Sequence, residues 1–495
     1  MDGEPDLYIG GKWRHSSDGG TREIINPADG SVAAVVDEAT PADAGDAIAA
    51  ARGAFDDGAW RATPVAERAA LLDRIADLLQ RDKESLAELE TRDTGKTLVE
   101  SRIDIDDVTS VFRYYAKLVG VESDRVVDVG DPAVISRVVR EPIGVCVLIA
   151  PWNYPLLQMS WKIAPALAAG CTMVAKPSEV TPLTTIAFMH LLEEAGVPPS
   201  VVNLVQGSGA TLGPALTDTP DVDFISFTGG VATGRTIAKV AADHVTKVAV
   251  ELGGKNPHIV FADIGRDGWD SAVDHVLTGV FLHSGQVCSA GTRLIVEESI
   301  ADDFVADVAA RAEKIRIGNG MDSASETGPL VSEQQRAKIE GFVQQGISEG
   351  AKLITGGARP TDPSLAAGSF YLPTIFDRCD RSMRIVSEET FGPILTVERF
   401  TTEAEAIELG NDTEYGLAAG VRTSDPARGE RVVRALRHGT VWLNDFGYYT
   451  AAAEWGGFGK SGNGRELGPT GLAEYQEIKH IWHNTAPQPA GWFKG

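Results

Sequence analysis

The sequence predicts an α/β protein with two large units, each built on a parallel sheet, and a small β extension. Three observations predict it. The chain has 495 residues, more than the roughly 250–300 at which a single hydrophobic core stops growing. Short apolar runs alternate with helical stretches between Val145 and Leu252, and again after Gly253; buried strands alternating with helices read as βαβ units. Two strand-like segments, near Ala133 and over Ala473–Trp482, fall outside both series.

From Pro41 to Gly120 the pattern is helical, with apolar residues three and four apart at Leu71, Ile75, Leu78 and Leu79, suited to packing outside a sheet. Ala133–Arg140 is β-branched and polar-interrupted, with Gly130, Pro132 and Pro142 around it, so a strand outside the main core is expected, able to pair with another subunit. The first unit then reads as apolar Val145–Ala150, helical Leu156–Ala169, apolar Thr172–Ala175, helical Thr184–Ala195 and apolar Val201–Val205. It continues with helical Ala210–Leu216, apolar Val222–Phe227, helical Ala232–Ala242 and apolar Lys247–Val250. Such a sheet binds ligands beyond the carboxyl ends of its strands, where the loops 151–154, 176–179 and 228–230 fall. The second unit, from Gly253 to about Leu467, shows helical Asp270–His283 and Ile300–Ile315 and strand-like Arg293–Val296 and Gly439–Leu443. The tail is expected to return to the extension around Ala133.

A formal net charge of −25, from 70 acidic and 45 basic residues, disfavours nucleic acid and anionic membranes as partners. The opening Met1–Asp6 has neither a basic nor an apolar leader region, and no run of eighteen apolar residues occurs, so a cytoplasmic protein is expected. The four cysteines, Cys146, Cys171, Cys288 and Cys379, show no zinc spacing; free thiols and no metal are expected.

Two glycine loops miss the nucleotide motifs. Gly207-Ser-Gly-Ala-Thr-Leu-Gly213 is one residue too long for G-x-G-x-x-G, and in Gly229-Gly-Val-Ala-Thr-Gly234-Arg235-Thr236 an arginine stands where a P-loop needs lysine, which argues against a phosphotransferase. A glycine turn feeding a helix N-terminus still presents free N–H groups suited to a diphosphate. Cys288 lies among small residues in Gly285-Gln-Val-Cys-Ser-Ala-Gly291, leaving room for a carbonyl and a backbone N–H for an oxyanion. Glu251 closes the apolar run Val248–Val250. It either pairs with a cation such as Lys255 or is desolvated into a general base, and its position leaves both open.

Six ordered segments carry a likeness across nearly the whole chain: Ala150-Pro-Trp-Asn-Tyr-Pro155, Lys176-Pro-Ser-Glu179, Phe227-Thr-Gly-Gly230, Glu251-Leu-Gly-Gly-Lys255, Gly285-Gln-Val-Cys288 and Glu388-Glu-Thr-Phe-Gly-Pro393. Together they resemble the aldehyde dehydrogenase superfamily. The resemblance implies an NAD-dependent enzyme with a Rossmann-like NAD-binding domain (1–122 and 143–252), a second α/β catalytic domain (253–467) and a β oligomerisation extension (123–142 and 468–495) in a homodimer or homotetramer. It implies that Cys288 attacks the aldehyde as a thiolate, that Asn153 with the Cys288 N–H holds the oxyanion, and that Glu251 activates the water that hydrolyses the thioester. Lys162 and Glu466 would form a proton path. Lys176 and Glu179 would meet the adenosine ribose, and Gly209, Gly213 and Gly230 the diphosphate. Glu389 and Phe391 would meet the nicotinamide end, with Ile149, Ala150, Trp152, Ser178, Phe227, Gly229 and Leu252 also against the cofactor. A carboxylate at Glu179 would favour NAD over NADP. Within the superfamily the chain looks most like betaine aldehyde and aminoaldehyde dehydrogenases, which implies Tyr154, Trp161 and Trp455 at the substrate. Aromatic faces suit a quaternary ammonium, which cannot donate a hydrogen bond. The expected reaction is betaine aldehyde to glycine betaine, with 4-aminobutyraldehyde or 4-trimethylaminobutyraldehyde as alternatives and an idle binding protein as the reading from another class.

Overall fold

A computed structural model describes residues 3–121 and 124–493. The first of its two large sheets runs, edge to edge, Gly462–Asn463, Lys247–Glu251, Phe224–Thr228, Val145–Ile149, Thr172–Lys176, Val202–Leu204, Leu7–Ile9 and Lys12–Arg14. Its central strands are parallel. From Val145–Ile149 the chain adds strands first on one side and then on the other, so the order reverses between Ile149 and Thr228, and a crevice opens there beyond the carboxyl ends. These strands are mostly apolar because helices cover both faces. Pro155–Ala169 is buried along its whole length, and Pro41–Asp57, capped by Thr40 and Asp43, packs directly against Thr172–Lys176.

The second sheet runs Lys352–Thr355, Thr374–Asp377, Ile394–Phe400, Arg293–Glu297, Pro257–Val260, Ala418–Arg422 and Thr440–Leu443. All neighbours are parallel except the first pair. A third, three-stranded sheet joins Gln476–Asn484 to Val134–Pro142 over nine antiparallel register pairs, with Arg125–Val127 beyond it. The tail thus does return to the extension.

Two details depart from the sequence reading. The helix expected over Asp270–His283 spans Gly265–Phe281, because His283, Ser284 and Gly285 take successive positive φ values of 48°, 52° and 73° and turn the chain out of the helix. The segment Gly462–Asn463, placed by sequence in the second unit, is hydrogen-bonded to the edge of the first sheet beside Val250 and Glu251. Among the described residues, no helix is long and apolar enough to cross a membrane.

Candidate active site

Glu251 is the last residue of its strand in the first sheet, and Pro257 is the first residue of a strand in the second. The connection Leu252–Asn256 therefore sets the carboxyl ends of one sheet against the amino ends of the other. Asn153 follows Val145–Ile149 on the first side, and Cys288 precedes Arg293–Glu297 on the second. A cavity of about 750 Å³ lies at this junction, and Asn153, Glu251 and Cys288 all line it.

The turn carrying Cys288 is held from several directions. The His283 N–H donates to Glu100 Oε1 at 2.8 Å, the Ser284 N–H to Thr327 Oγ1 at 3.0 Å, and the Val331 N–H to Gln286 Oε1 at 2.8 Å. Asn256 Nδ2 donates to the carbonyls of Cys288 and Ala290, at 2.9 and 3.0 Å. Asn153 Nδ2 donates to the Gln286 carbonyl at 2.8 Å, which fixes its amide beside the turn that carries Cys288, with a second N–H still to give.

Of the two readings left open for Glu251, the geometry favours the desolvated carboxyl. Burial raises it from 4.5 to about 8; Lys162 opposes the shift and Glu466 adds to it. Its Oε1 accepts from the Trp455 indole N–H at 3.4 Å, and its Oε2 has no hydrogen-bond partner among the described residues. The Lys255 ammonium likewise lacks one among them, and burial, reinforced by Arg293, pulls it down to about 7. Burial, with Glu251 and Glu389 nearby, pushes the Cys288 thiol well above its usual range. It is therefore protonated at neutral pH, and attack needs a base first.

Lys162 and Glu466 meet in the interior: Lys162 Nζ donates to Glu466 Oε1 at 2.6 Å and to Ser226 Oγ at 2.9 Å. Ser226, which hydrogen-bonds Glu466 at 3.0 Å, was not singled out by sequence, since it reads there as one more residue of a buried strand. Paired backbone bonds between Trp455 and Glu466 join this cluster to the aromatic residues.

Every position expected at the cofactor lines the cavity. At one end Lys176 Nζ lies 3.6 Å from Glu179, whose Oε1 accepts from the Gly209 N–H at 3.2 Å. Gly209 thus stands beside the Glu179 carboxylate. Gly230 opens the helix Val231–His244 with no side-chain cap among the described residues, and Gly229, Gly230 and Thr233 line the cavity at this helix start. At the other end Glu389 Oε1 accepts from the Gly254 N–H at 2.9 Å, and Phe391 packs edge-on to Trp152 at 5.1 Å. Gln335 and Lys338 also line the cavity, from the helix Glu333–Ser348. In sequence that helix looks like an ordinary polar one, and only its docking brings it here.

Tyr154, Trp161 and Trp455, the aromatic residues expected at the substrate, are not among the residues lining this cavity. Trp161 and Trp455 are 6.0 Å apart, and Tyr449 completes a triangle with them at 5.4 and 5.8 Å. Cys288 packs against the same core. Tyr154 is not part of this triangle: one face of its ring carries Lys96 Nζ at 4.1 Å, and its edge meets His283 at 5.7 Å.

Residues 13–481 match the family model described as Aldehyde dehydrogenase family. The chain is 55% identical to betaine aldehyde dehydrogenase of Bacillus subtilis (strain 168), over 98% of this chain and 99% of that protein. It is 42% identical to aminoaldehyde dehydrogenase 2 of Zea mays, over 99% and 97%. A crystal structure of betaine aldehyde dehydrogenase from Staphylococcus aureus in complex with NAD+ superposes with a TM-score of 0.97 at 49% identity, covering 99% of this chain and 97% of the other. The chain belongs to the aldehyde dehydrogenase family.

Proposed function

We propose that this aldehyde dehydrogenase oxidises betaine aldehyde to glycine betaine with NAD as the hydride acceptor. The observation that carries the reading is that Cys288, Glu251 and Asn153 line one cavity of about 750 Å³, with Cys288 also packed against the core that holds Trp161 and Trp455, which form a triangle with Tyr449. The likeness to the Bacillus and Staphylococcus betaine aldehyde dehydrogenases supports the choice of substrate.

The residues fit the cofactor. The uncapped helix start at Gly230 suits a diphosphate, Lys176 and Glu179 suit the adenosine ribose hydroxyls, and Glu389 with Phe391 suits the nicotinamide end. When bound, NAD supplies the acceptor for the aldehyde hydride. Glu251, as carboxylate, takes the thiol proton of Cys288, and the thiolate sulfur bonds to the carbonyl carbon. The free N–H of Asn153 and the Cys288 backbone N–H hold the resulting oxyanion. After oxidation to the thioester, Glu251 takes a proton from water, the hydroxide adds to the acyl carbon, and the carbon–sulfur bond breaks to release the carboxylate. Lys162, Ser226 and Glu466 lead the proton away from Glu251.

In this reading 1–122 with 143–252 is the NAD-binding domain, 253–467 the catalytic domain, and 123–142 with 468–495 the oligomerisation segments of a cytoplasmic homodimer or homotetramer. A specific observation favours a second substrate class. Tyr449 Oη donates to Asp107 Oδ2 at 2.6 Å, placing a carboxylate beside the aromatic triangle where a primary ammonium of an aminoaldehyde would pair.

The test is NADH formation with betaine aldehyde and with its neutral isostere 3,3-dimethylbutanal. A kcat/KM at least about tenfold higher for the cation is expected from aromatic faces each worth about 0.5–2 kcal/mol. Equal values remove the aromatic recognition, and a preference for 4-aminobutyraldehyde over both moves the assignment to aminoaldehydes.

A further inference from the structure

At the adenosine-ribose end, two carboxylates rather than one face the entry of the helix Gly209–Thr217. Ser208 and Gly209 are consecutive. The N–H of Gly209 donates to Glu179 at 3.2 Å, and the N–H of Ser208 donates to Glu38 Oε1 at 2.8 Å. Glu38 closes the N-terminal hairpin of Thr21–Ile25 and Val32–Asp37, far from Glu179 in sequence. Its carboxylate also receives both arms of the Arg22 guanidinium, Nε at 2.5 Å and Nη2 at 2.7 Å. Two cations, Lys176 and Arg22, therefore stand at this end, each beside its own carboxylate. Arg22 and Glu179 are close enough to act on one another electrostatically, as are Glu38 and Lys176.

A 2′-phosphate needs cations and N–H donors that are not already committed to anions, and a planar guanidinium is the group best shaped to meet it. Arg22 and the Ser208 amide would be such a pair, and Glu38 occupies both. We propose that Glu38 is a second cofactor-discriminating carboxylate, which excludes NADP by holding Arg22 and the Ser208 N–H away from a 2′-phosphate while Glu179 faces the ribose hydroxyls. This rests on the NAD reading above. It makes selectivity a joint property of the hairpin and the first sheet, so removing the Glu179 charge alone leaves Arg22 still neutralised.

The experiment is fluorescence titration of the full-length protein with NADPH and NADH, which reads binding without turnover. In Glu38→Gln, with Glu179 intact, the ratio Kd(NADPH)/Kd(NADH) is expected to fall at least about tenfold, and adding Arg22→Leu to that variant should cancel the fall. Arg22→Leu alone, which bares the Glu38 carboxylate, should raise the ratio and provides a measurement if Glu38→Gln does not fold. An unchanged ratio in Glu38→Gln, a gain that survives loss of Arg22, or no rise in Arg22→Leu alone overturns the proposal. A wild-type protein that binds neither dinucleotide removes the NAD reading itself, and this proposal with it.

Discussion

Glu251 shows how one residue's role depends on its surroundings. A glutamate at a strand end is unremarkable until burial lifts its carboxyl to about 8, which puts its proton exchange in the range where a base for both thiol and water is useful. The shift has a cost in stability. With the folded value above the unfolded one, its contribution is fully present below about 4.5 and lost as pH rises through about 8. Activity has the opposite sign, because the carboxylate is the working form. In steady state the rate should climb with pH up to about 8. Glu251→Gln should abolish that limb, lower kcat by about 10²–10⁴-fold and accumulate acyl-enzyme detectable by mass spectrometry. Normal turnover with an unchanged pH profile in that variant would remove Glu251 as the base.

At the scale of an element, the turn that leads to Cys288 is a strained segment held by its neighbours. His283 and Ser284 occupy the left-handed region with side chains that disfavour it, at about 1–2 kcal/mol each. Glu100 and Thr327, which accept from the turn, and Val331, which donates to it, lie on segments distant in the chain. Gly285 has no substitute here: φ is 73°, and a Cβ would stand 2.2 Å from the Gly392 carbonyl oxygen, just past the Glu389–Phe391 segment. Gly285→Ala is expected to lose at least about 2 kcal/mol of stability, from strain together with the clash. It should also weaken NADH binding, because relief of the contact displaces the neighbouring cofactor segment. Urea unfolding and nucleotide titration check both, and a variant with wild-type stability and affinity would show that the turn is not so constrained.

For the whole molecule, the three-stranded sheet is unusual in what it leaves uncovered. Val126, Ile478 and Trp482 are 75%, 71% and 56% exposed, on strands whose outer edges have no further partner in this chain among the described residues. Exposed apolar side chains on an open sheet edge are the features that subunit association covers. Ile478→Glu with Trp482→Glu should shift the protein to a smaller species in sedimentation at micromolar concentration, with NADH binding retained. An unchanged mass would move the subunit contact to another surface.

The sequence by itself determined much of this. Alternating apolar and helical runs marked the five parallel strands of the first sheet, because parallel strands buried on both faces have no polar alternation to confuse them. The motifs around Asn153, Glu251 and Cys288 were legible because each ends or begins a recognisable element. Strands such as Pro257–Val260 and Ala418–Arg422 were harder to see, being short and set among glycines and polar residues. Other features are absent from any local pattern. Tyr449 joining Trp161 and Trp455, Ser226 joining Lys162 to Glu466, Lys338 reaching the cavity, Lys96 covering a face of Tyr154 and Glu38 meeting Ser208 all join residues far apart in the chain. Periodicity and spacing act over a few residues. Burial, charge pairing and cavity lining arise only where distant segments meet, so the tertiary structure alone decided them.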